Sequence, residues 1–545
     1  MNSTMSGSSV RIFSWVAFAA STATGAPVIQ EELAELSSKR GFAGSYDSFG
    51  SEVSCLGDVD GDGVCDALVA AIDEDNDVYP WSDHYYGAVY VISGASGSVI
   101  RKHLGPEQGG RLGIRLAAGS DFDGDGVPDY AAGTLDVPRP TSEGTAYVFS
   151  GATGNVLYTL AGENPYDGFG GSLQIVGDVD GDGVDDLGLG AGGYDVDSRT
   201  TMAGRAYVYS GATGSLIYSI TGTKSNQLFG LIGGIGDLDG DGRPDLCIGS
   251  NGFNAGPNGE GKVEVYSGAT ATLLYRRVGE NPGDFFGSRS CALGDVNGDG
   301  SPEFAVWAPG HDVFDSEGRV YVYSGRKGKL LYTFDGTYKD QQFGLLPWTG
   351  DIDFNADGFS DLLIGSVYVP SYGTTASSVF VYSGRTGRML HEIRGRNFGG
   401  AALTEGLGSS LSAGGDLNQD GIDDVIVGAP IYGADYPAEG RAYVFGGNDL
   451  FLQGNLEEYL AGDAITLSIR GGEAGALGMI ALVDVNGTRT FAPILIGTLD
   501  GHGELGIGDT VPPGLSGLTL GFMGFALKGG GSAVADSIRE TLVFK

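Results

Sequence analysis

The stretch Gly57-Asp58-Val59-Asp60-Gly61-Asp62-Gly63-Val64-Cys65-Asp66 sets carboxylates at positions 1, 3, 5 and 9 of a nine-residue loop, with glycine at position 6. The same arrangement returns six times. It reads Asp121, Asp123, Asp125, Asp129; Asp178, Asp180, Asp182, Asp186; and Asp237, Asp239, Asp241, Asp245. Three later copies carry Asn at position 3: Asp295, Asn297, Asp299, Glu303; Asp353, Asn355, Asp357, Asp361; and Asp416, Asn418, Asp420, Asp424. Successive first acids lie 63, 57, 59, 58, 58 and 63 residues apart. Position 6 is Gly63, Gly126, Gly183, Gly242, Gly300, Gly358 and Gly421. Glycine reaches positive φ without steric cost, so the chain can reverse there and turn alternate carboxylates inward. Ca2+ takes six to eight hard oxygens in irregular geometry, which this donor set suits. The position-7 carbonyl is a further expected ligand, from Val64, Val127, Val184, Arg243, Ser301, Phe359 and Ile422. The acid falls at position 9 rather than 12, so the flanking helices of an EF-hand are not implied. Asp-Gly clusters are also ordinary hairpin turns, but seven copies of one spacing go beyond that.

Charge points the same way. Four loops carry four carboxylates and three carry three, together 25 of the 69 acidic residues. Carboxylates packed that closely repel unless a cation sits among them. Up to seven structural Ca2+ would move the formal net charge from -38 to -24. The remaining acidity argues against nucleic acid as a partner.

Around each loop the same elements recur. An aromatic or Leu followed by Gly opens the unit: Phe49-Gly50, Leu112-Gly113, Phe169-Gly170, Phe229-Gly230, Phe286-Gly287, Phe343-Gly344, Leu407-Gly408. A short apolar strand leads into the loop, and a second apolar run such as DLGLGAG leaves it. After a variable polar loop comes a strand such as GRAYVYSG, then a tight turn and a fourth strand such as LIYSI. Alternation of small or polar with aromatic or β-branched residues marks strands. Four strands at a period near 60 predict an all-β repeat fold. Sheets packed face to face around an axis bury both faces and close the ring, giving a seven-bladed β-propeller over 49–453. The 99 glycines belong to turns, since no glycine tract is present.

The Phe-Gly starts, the acidic loops and the Gly-Ala-Pro-like ends (Ala308-Pro309-Gly310; Gly428-Ala429-Pro430) resemble FG-GAP repeats. Those repeats form the propeller headpiece of integrin α-subunits and of many bacterial surface proteins. The resemblance implies a calcium-binding adhesion or recognition module with an extracellular protein or glycan ligand. Blades 2 and 7 depart from it with Leu for Phe, most second strands lack a full Gly-Ala-Pro, and every unit carries a loop where integrins have only some.

Outside the repeats, residues 1–26 read as a signal peptide, with Arg11 before a short apolar core and small residues. Residues 27–48 read as a lead or a closing strand, and 454–545 as a small immunoglobulin-like β-sandwich of six or seven short strands. No run reaches the ~18 apolar residues of a membrane span, so a secreted or surface location is expected. Cys55 and Cys65 bracket the first loop closely enough for a disulfide; with Cys247 and Cys291, three pairings are open.

The loops between second and third strands share the face opposite the acidic loops. They carry Tyr79, Trp81, Tyr85 and Tyr86 in the first unit, Tyr194 in the third, Phe253, Phe314, Tyr368 and Tyr372 further on, and Tyr432 and Tyr436 in the seventh. Aromatics among acids suit protein hot spots or sugar stacking, and they serve equally to pack long loops. His84, His103, His311, His391 and His502 lack metal-ligand spacing, and no nucleophile elbow, P-loop or dinucleotide fingerprint occurs. No catalytic residue is assigned. A polysaccharide-active enzyme or lectin, and a structural surface-layer component, are the alternatives.

Overall fold

The structure is a computed structural model. It describes 32–36, residues 47–445 apart from 76–84, 135–142, 253–258, 312–316, 327, 337–342, 345–348, 355–357, 367–376, 396–405, 416, 418–422 and 431–439, and the strands of 451–544. Seven four-stranded antiparallel sheets form a closed propeller, and there is no helix among the described residues. Blade 3 is representative: Phe169–Gly177, Asp186–Ala191, Arg205–Tyr209 and Leu216–Thr221 pair in that order. The first strands of blades 1 to 7 are Phe49–Gly57, Arg115–Ser120, Phe169–Gly177, Phe229–Gly234, Ser290–Ala292, Thr349–Ile352 and Ser410–Gly415. Each packs on the first strand of the next blade, and the seventh packs on the first, so the ring is complete.

The outer strand of blade 7 comes from the other end of the chain. Glu32–Leu36 pairs antiparallel with Arg441–Phe445, so the ring is sewn shut by strand pairing between distant segments. Phe451–Gly454 pairs with Ala464–Arg470. The C-terminal strands make two sheets, one of Phe451–Gly454, Ala464–Arg470 and Leu505–Thr510, the other centred on Leu477–Val485 and Thr519–Leu527. Residues 1–26 lie outside the described residues.

The core lies between blades. Second strands such as Asp186–Ala191, Glu303–Ala308 and Asp424–Ala429 are buried at every residue, because both faces of each sheet meet a neighbour. The Phe that opens each unit, replaced by Leu112 and Leu407 in blades 2 and 7, is the wedge. Phe49, Phe169 and Phe286 are at most 1% exposed and meet Tyr90, Tyr207 and Tyr321 edge-on at 5.4, 5.4 and 5.2 Å. Edge-to-face pairs add about 0.5–1.5 kcal/mol to area burial. The Gly that follows is obligatory: Gly50 has φ 85°, and a Cβ there would stand 2.0 Å from the carbonyl oxygen of Arg441.

Adjacent blades also interlock near the acidic loops. Fourth-strand tyrosines donate to the next blade's turn: Tyr158 to Gly211 O, Tyr218 to Gly268 O and Tyr275 to Gly325 O, each at 2.7 Å. In blade 1 Arg101 takes that part, donating to Gly151 O and Ala152 O.

Candidate metal centres

Each acidic loop joins the first and second strands of its blade. Position 1 holds the loop together. Asp58 Oδ1 accepts from the backbone N–H of Gly61 at 2.7 Å and Asp62 at 3.1 Å, and its Oδ2 from Gly63 at 2.8 Å. Asp121 does the same with Gly124, Asp125 and Gly126, and Asp295 with Gly298, Asp299 and Gly300. Position 5 accepts from the position-7 N–H, as in Val64 to Asp62 at 2.9 Å and Ser301 to Asp299 at 3.1 Å. The loop is thus curled by its own side chains, the Asx-turn use of aspartate.

That curl draws the carboxylates together. The convergent sets are Asp58, Asp60 and Asp62; Asp121, Asp123 and Asp129; Asp178, Asp180 and Asp186; Asp237, Asp239 and Asp245; and Asp295, Asp299 and Glu303, with oxygens within 4.8 Å of one another. An all-oxygen donor set of like charges this close fits a hard cation and little else. Asp66, Asp125, Asp182 and Asp241 belong to the same loops but stand outside these sets. In the last two loops Asn355, Asp357, Asp416, Asn418, Asp420 and Ile422 lie outside the described residues. Asp353 keeps the pattern, accepting from Gly358 N at 2.7 Å.

Position 6 requires glycine for conformation rather than room: Gly63, Gly126 and Gly183 have φ of 88°, 87° and 92°, with nothing near a Cβ added there. Position 4, which the sequence reading passed over, has the same requirement. Gly61, Gly124, Gly181, Gly240 and Gly298 have φ from 75° to 84°. Their recurrence in five of seven loops was the available signal.

Position 9 has a second task that spacing alone does not announce. Asp66, Asp129, Asp186, Asp245, Glu303, Asp361 and Asp424 are all fully buried. One oxygen accepts from the N–H of position 2, at 2.7–2.9 Å from Phe122, Val179, Leu238 and Val296. The other accepts across the blade from the turn between third and fourth strands, at Gly94, Gly151, Gly211, Gly268 and Gly384. In blade 5 the longer Glu303 instead accepts from the Asn297 amide at 2.6 Å, which explains Glu and Asn occurring together. Burial pushes Asp129, Asp186 and Asp245 up to about 6 and Glu303 up to about 7, against the pull of their backbone donors. Asp66 is raised for the same reason.

Position-7 side chains vary in type, yet they are engaged. Val64 is buried in the core between blades 7 and 1, and Val127 and Val184 pack against neighbouring cores. Arg243 reaches across to the preceding loop, its Nη1 3.3 Å from Asp178 Oδ1. Phe359 lies under the Arg385 guanidinium at 4.9 Å. Cys55 and Cys65 form a disulfide that staples loop 1, while Cys247 and Cys291 are not disulfide-bonded.

Of the opposite-face aromatics, Tyr85, Tyr86 and Tyr194 are described; the carbonyl of Tyr86 accepts from Leu112 N at 2.9 Å, and Tyr85 and Tyr194 stand beside arginines. Both are half-buried, with the guanidinium of Arg111 4.8 Å from Tyr85 and that of Arg205 3.8 Å from Tyr194. Tyr79, Trp81, Phe253, Phe314, Tyr368, Tyr372, Tyr432 and Tyr436 lie outside the described residues.

Fold and loops together define a seven-bladed propeller with acidic, metal-competent hairpins on one rim. The FG-GAP repeat family matches residues 407–445 and the FG-GAP-like repeat family residues 237–306, so the chain carries FG-GAP repeats. It is similar to integrin alpha-4 of Xenopus laevis, 32% identical over 177 residues, 31% of this chain and 16% of the relative. It is also similar to integrin alpha-PS2 of Drosophila melanogaster, 30% identical over 240 residues, 40% of this chain and 16% of the relative. The matched stretch is thus a small part of either integrin. A solved structure of the Dos1 propeller aligns at a TM-score of 0.36 and 15% identity, covering 63% of this chain and 75% of that one. Both matched families are described as repeats, and neither description names a reaction.

Proposed function

We propose that this chain is a secreted or surface-held recognition module whose propeller is stabilised by up to seven structural Ca2+ and binds an extracellular protein or glycan. The observation that carries the metal reading is the convergence of carboxylate oxygens in five self-curled loops. In each, positions 1, 3, 5 and 9 and the position-7 carbonyl are the proposed ligands. Similarity to integrin alpha chains supports the recognition reading. Extracellular calcium modules bind at about 10⁻⁴–10⁻³ M, so such sites fill only where calcium is abundant.

The ligand face is proposed to be the one opposite the acidic rim, since long, varied loops on a rigid scaffold are where binding collects. Tyr85 and Tyr194, held by their arginines, with Tyr79, Trp81, Tyr372, Tyr432 and Tyr436, are the proposed contacts. The C-terminal strands are proposed to form a β-sandwich used for attachment or capping, on the strength of their two sheets. The test is capture of extracellular proteins and printed glycans by the full chain in calcium and in EDTA. Calcium-dependent capture weakened by Tyr194→Ala is expected. Turnover of a polysaccharide, or self-assembly with no captured ligand, would replace recognition with an enzymatic or surface-layer role.

A further inference from the structure

The first strands line a cavity of about 270 Å³ on the propeller axis. The residue three places after the unit-opening aromatic or Leu faces it in four blades: Glu52, Arg115, Ser172 and Arg289. Equivalent repeat positions lie at equivalent heights, so Glu52, Arg115 and Arg289 share one tier. They act on one another electrostatically: both arginines favour the ionised form of Glu52, and the two guanidiniums repel. Burial nonetheless raises Glu52, and it lowers Arg289 to about 10, still charged at neutral pH.

None of the three forms an ion pair with a described residue. Arg115 Nη1 donates to Ile114 O at 2.6 Å, and the Arg289 guanidinium donates to no described residue. Two half-buried guanidiniums share the single carboxylate of Glu52 and so are short of counter-charge, and a carboxylate matches the planar fork of each. The tier carries a net charge of plus one inside a chain of formal net charge -38. A monoanion would neutralise it, whereas a dianion would also confront Glu52. At about 30 Å³ per water the cavity holds about nine waters, room for a monocarboxylate up to the size of a sugar acid.

We propose that the axial channel is a binding site for one small monocarboxylate, held by Arg115 and Arg289, with Glu52 excluding dianions. This site is separate from the acidic rim and from the opposite loop face. The test is calorimetric titration of the full chain, in saturating calcium at pH 7.5, with sodium acetate and sodium glucuronate. Sodium sulfate is the dianion and sodium chloride the ionic-strength control. Saturable one-to-one binding of a carboxylate is expected, weakened about tenfold or more by Arg289→Gln or Arg115→Gln, since hydrogen bonds to charged groups are the strong ones. Glu52→Gln is expected to strengthen carboxylate binding and admit sulfate, a gain that a merely structural role for Glu52 would not give. Should Arg289→Gln not fold, Arg289→Lys keeps the charge, loses the fork and is expected to weaken binding. No saturable carboxylate binding, binding indifferent to both Arg289 variants, or wild-type preference for sulfate would overturn the proposal.

Discussion

At the scale of single residues, Asp182 and Asp186 look alike in the sequence and differ in the fold. Asp186 is fully buried and bridges the N–H groups of Val179 and Gly211. Asp182 is exposed and accepts from its own loop, at Val184. Asp186→Ala strands buried donors, each costing about 1–3 kcal/mol. Its melting temperature is therefore expected to fall even in EDTA. Asp182→Ala is expected to leave the EDTA melt nearly unchanged and to reduce only the part of stability that calcium adds. Arg243 offers a second contrast. Its guanidinium stands beside Asp178, a proposed ligand of the neighbouring loop, and repels any cation there. Arg243→Ala is expected to raise calcium affinity at that loop several-fold, a modest gain because the pair is partly solvated. Calcium titration of the two proteins checks this, and a weakened site would count against the assignment.

At the scale of the element, the unit is the acidic loop with the turn it clamps. Its buried acids give a pH dependence with a definite sign. Asp129, Asp186 and Asp245 near 6 and Glu303 near 7 lie above the roughly 4 of free carboxyls, so the metal-free folded state binds more protons than the unfolded one between these values. Their contribution is present below about pH 4 and lost as pH rises through 6–7. In EDTA the protein is thus expected to melt higher at pH 5 than at pH 7.5. In calcium, which needs the ionised forms, the order is expected to reverse; melts at both pH values decide. Loop 1 has its own staple. Closing a loop of about ten residues is worth about 2–3 kcal/mol in the chain-entropy view. Reduction or Cys55→Ala/Cys65→Ala is expected to lower the free energy of unfolding, read by denaturant titration, by that margin and to weaken calcium binding at loop 1.

Much of this element was legible because its residues do one local thing. Asp-x-Asp-x-Asp-Gly reports a curl that depends on neighbours in sequence, and Phe-Gly reports a wedge and a positive φ. What escaped notice was work done between distant segments. The clamp from Asp186 to Gly211 spans 25 residues, and the bond from Tyr158 to Gly211 spans 53 and joins two blades. A tyrosine in a strand has reasons enough to be there, so its hydroxyl gave no separate sign.

At the scale of the molecule, seven similar wedges must close. The wedge count was readable from the period, but residues 27–48 could be read only as a lead or a closing strand, since Glu32–Leu36 carries no repeat signature and its partner lies some 400 residues away. Closure by strand pairing makes the ring hold at one seam, while fourth-strand side chains of blades 1 to 4 tie each of those blades to the turn of the next. If Ca2+ fills the rim, mass action stabilises the folded ring by about 1.4 kcal/mol per site at a calcium concentration about 10 times Kd, the excess that millimolar calcium gives over a site of about 10⁻⁴ M. Seven such sites together add about 10 kcal/mol, comparable to the whole net stability of an ordinary domain, about 5–15 kcal/mol. The direct measurement is calorimetric melting of the full chain in millimolar calcium, in excess EDTA, and after calcium is restored. A fall in melting temperature of more than about 10 °C in EDTA, recovered on restoring calcium, is predicted, whereas superimposable melts would contradict a ring held together by metal.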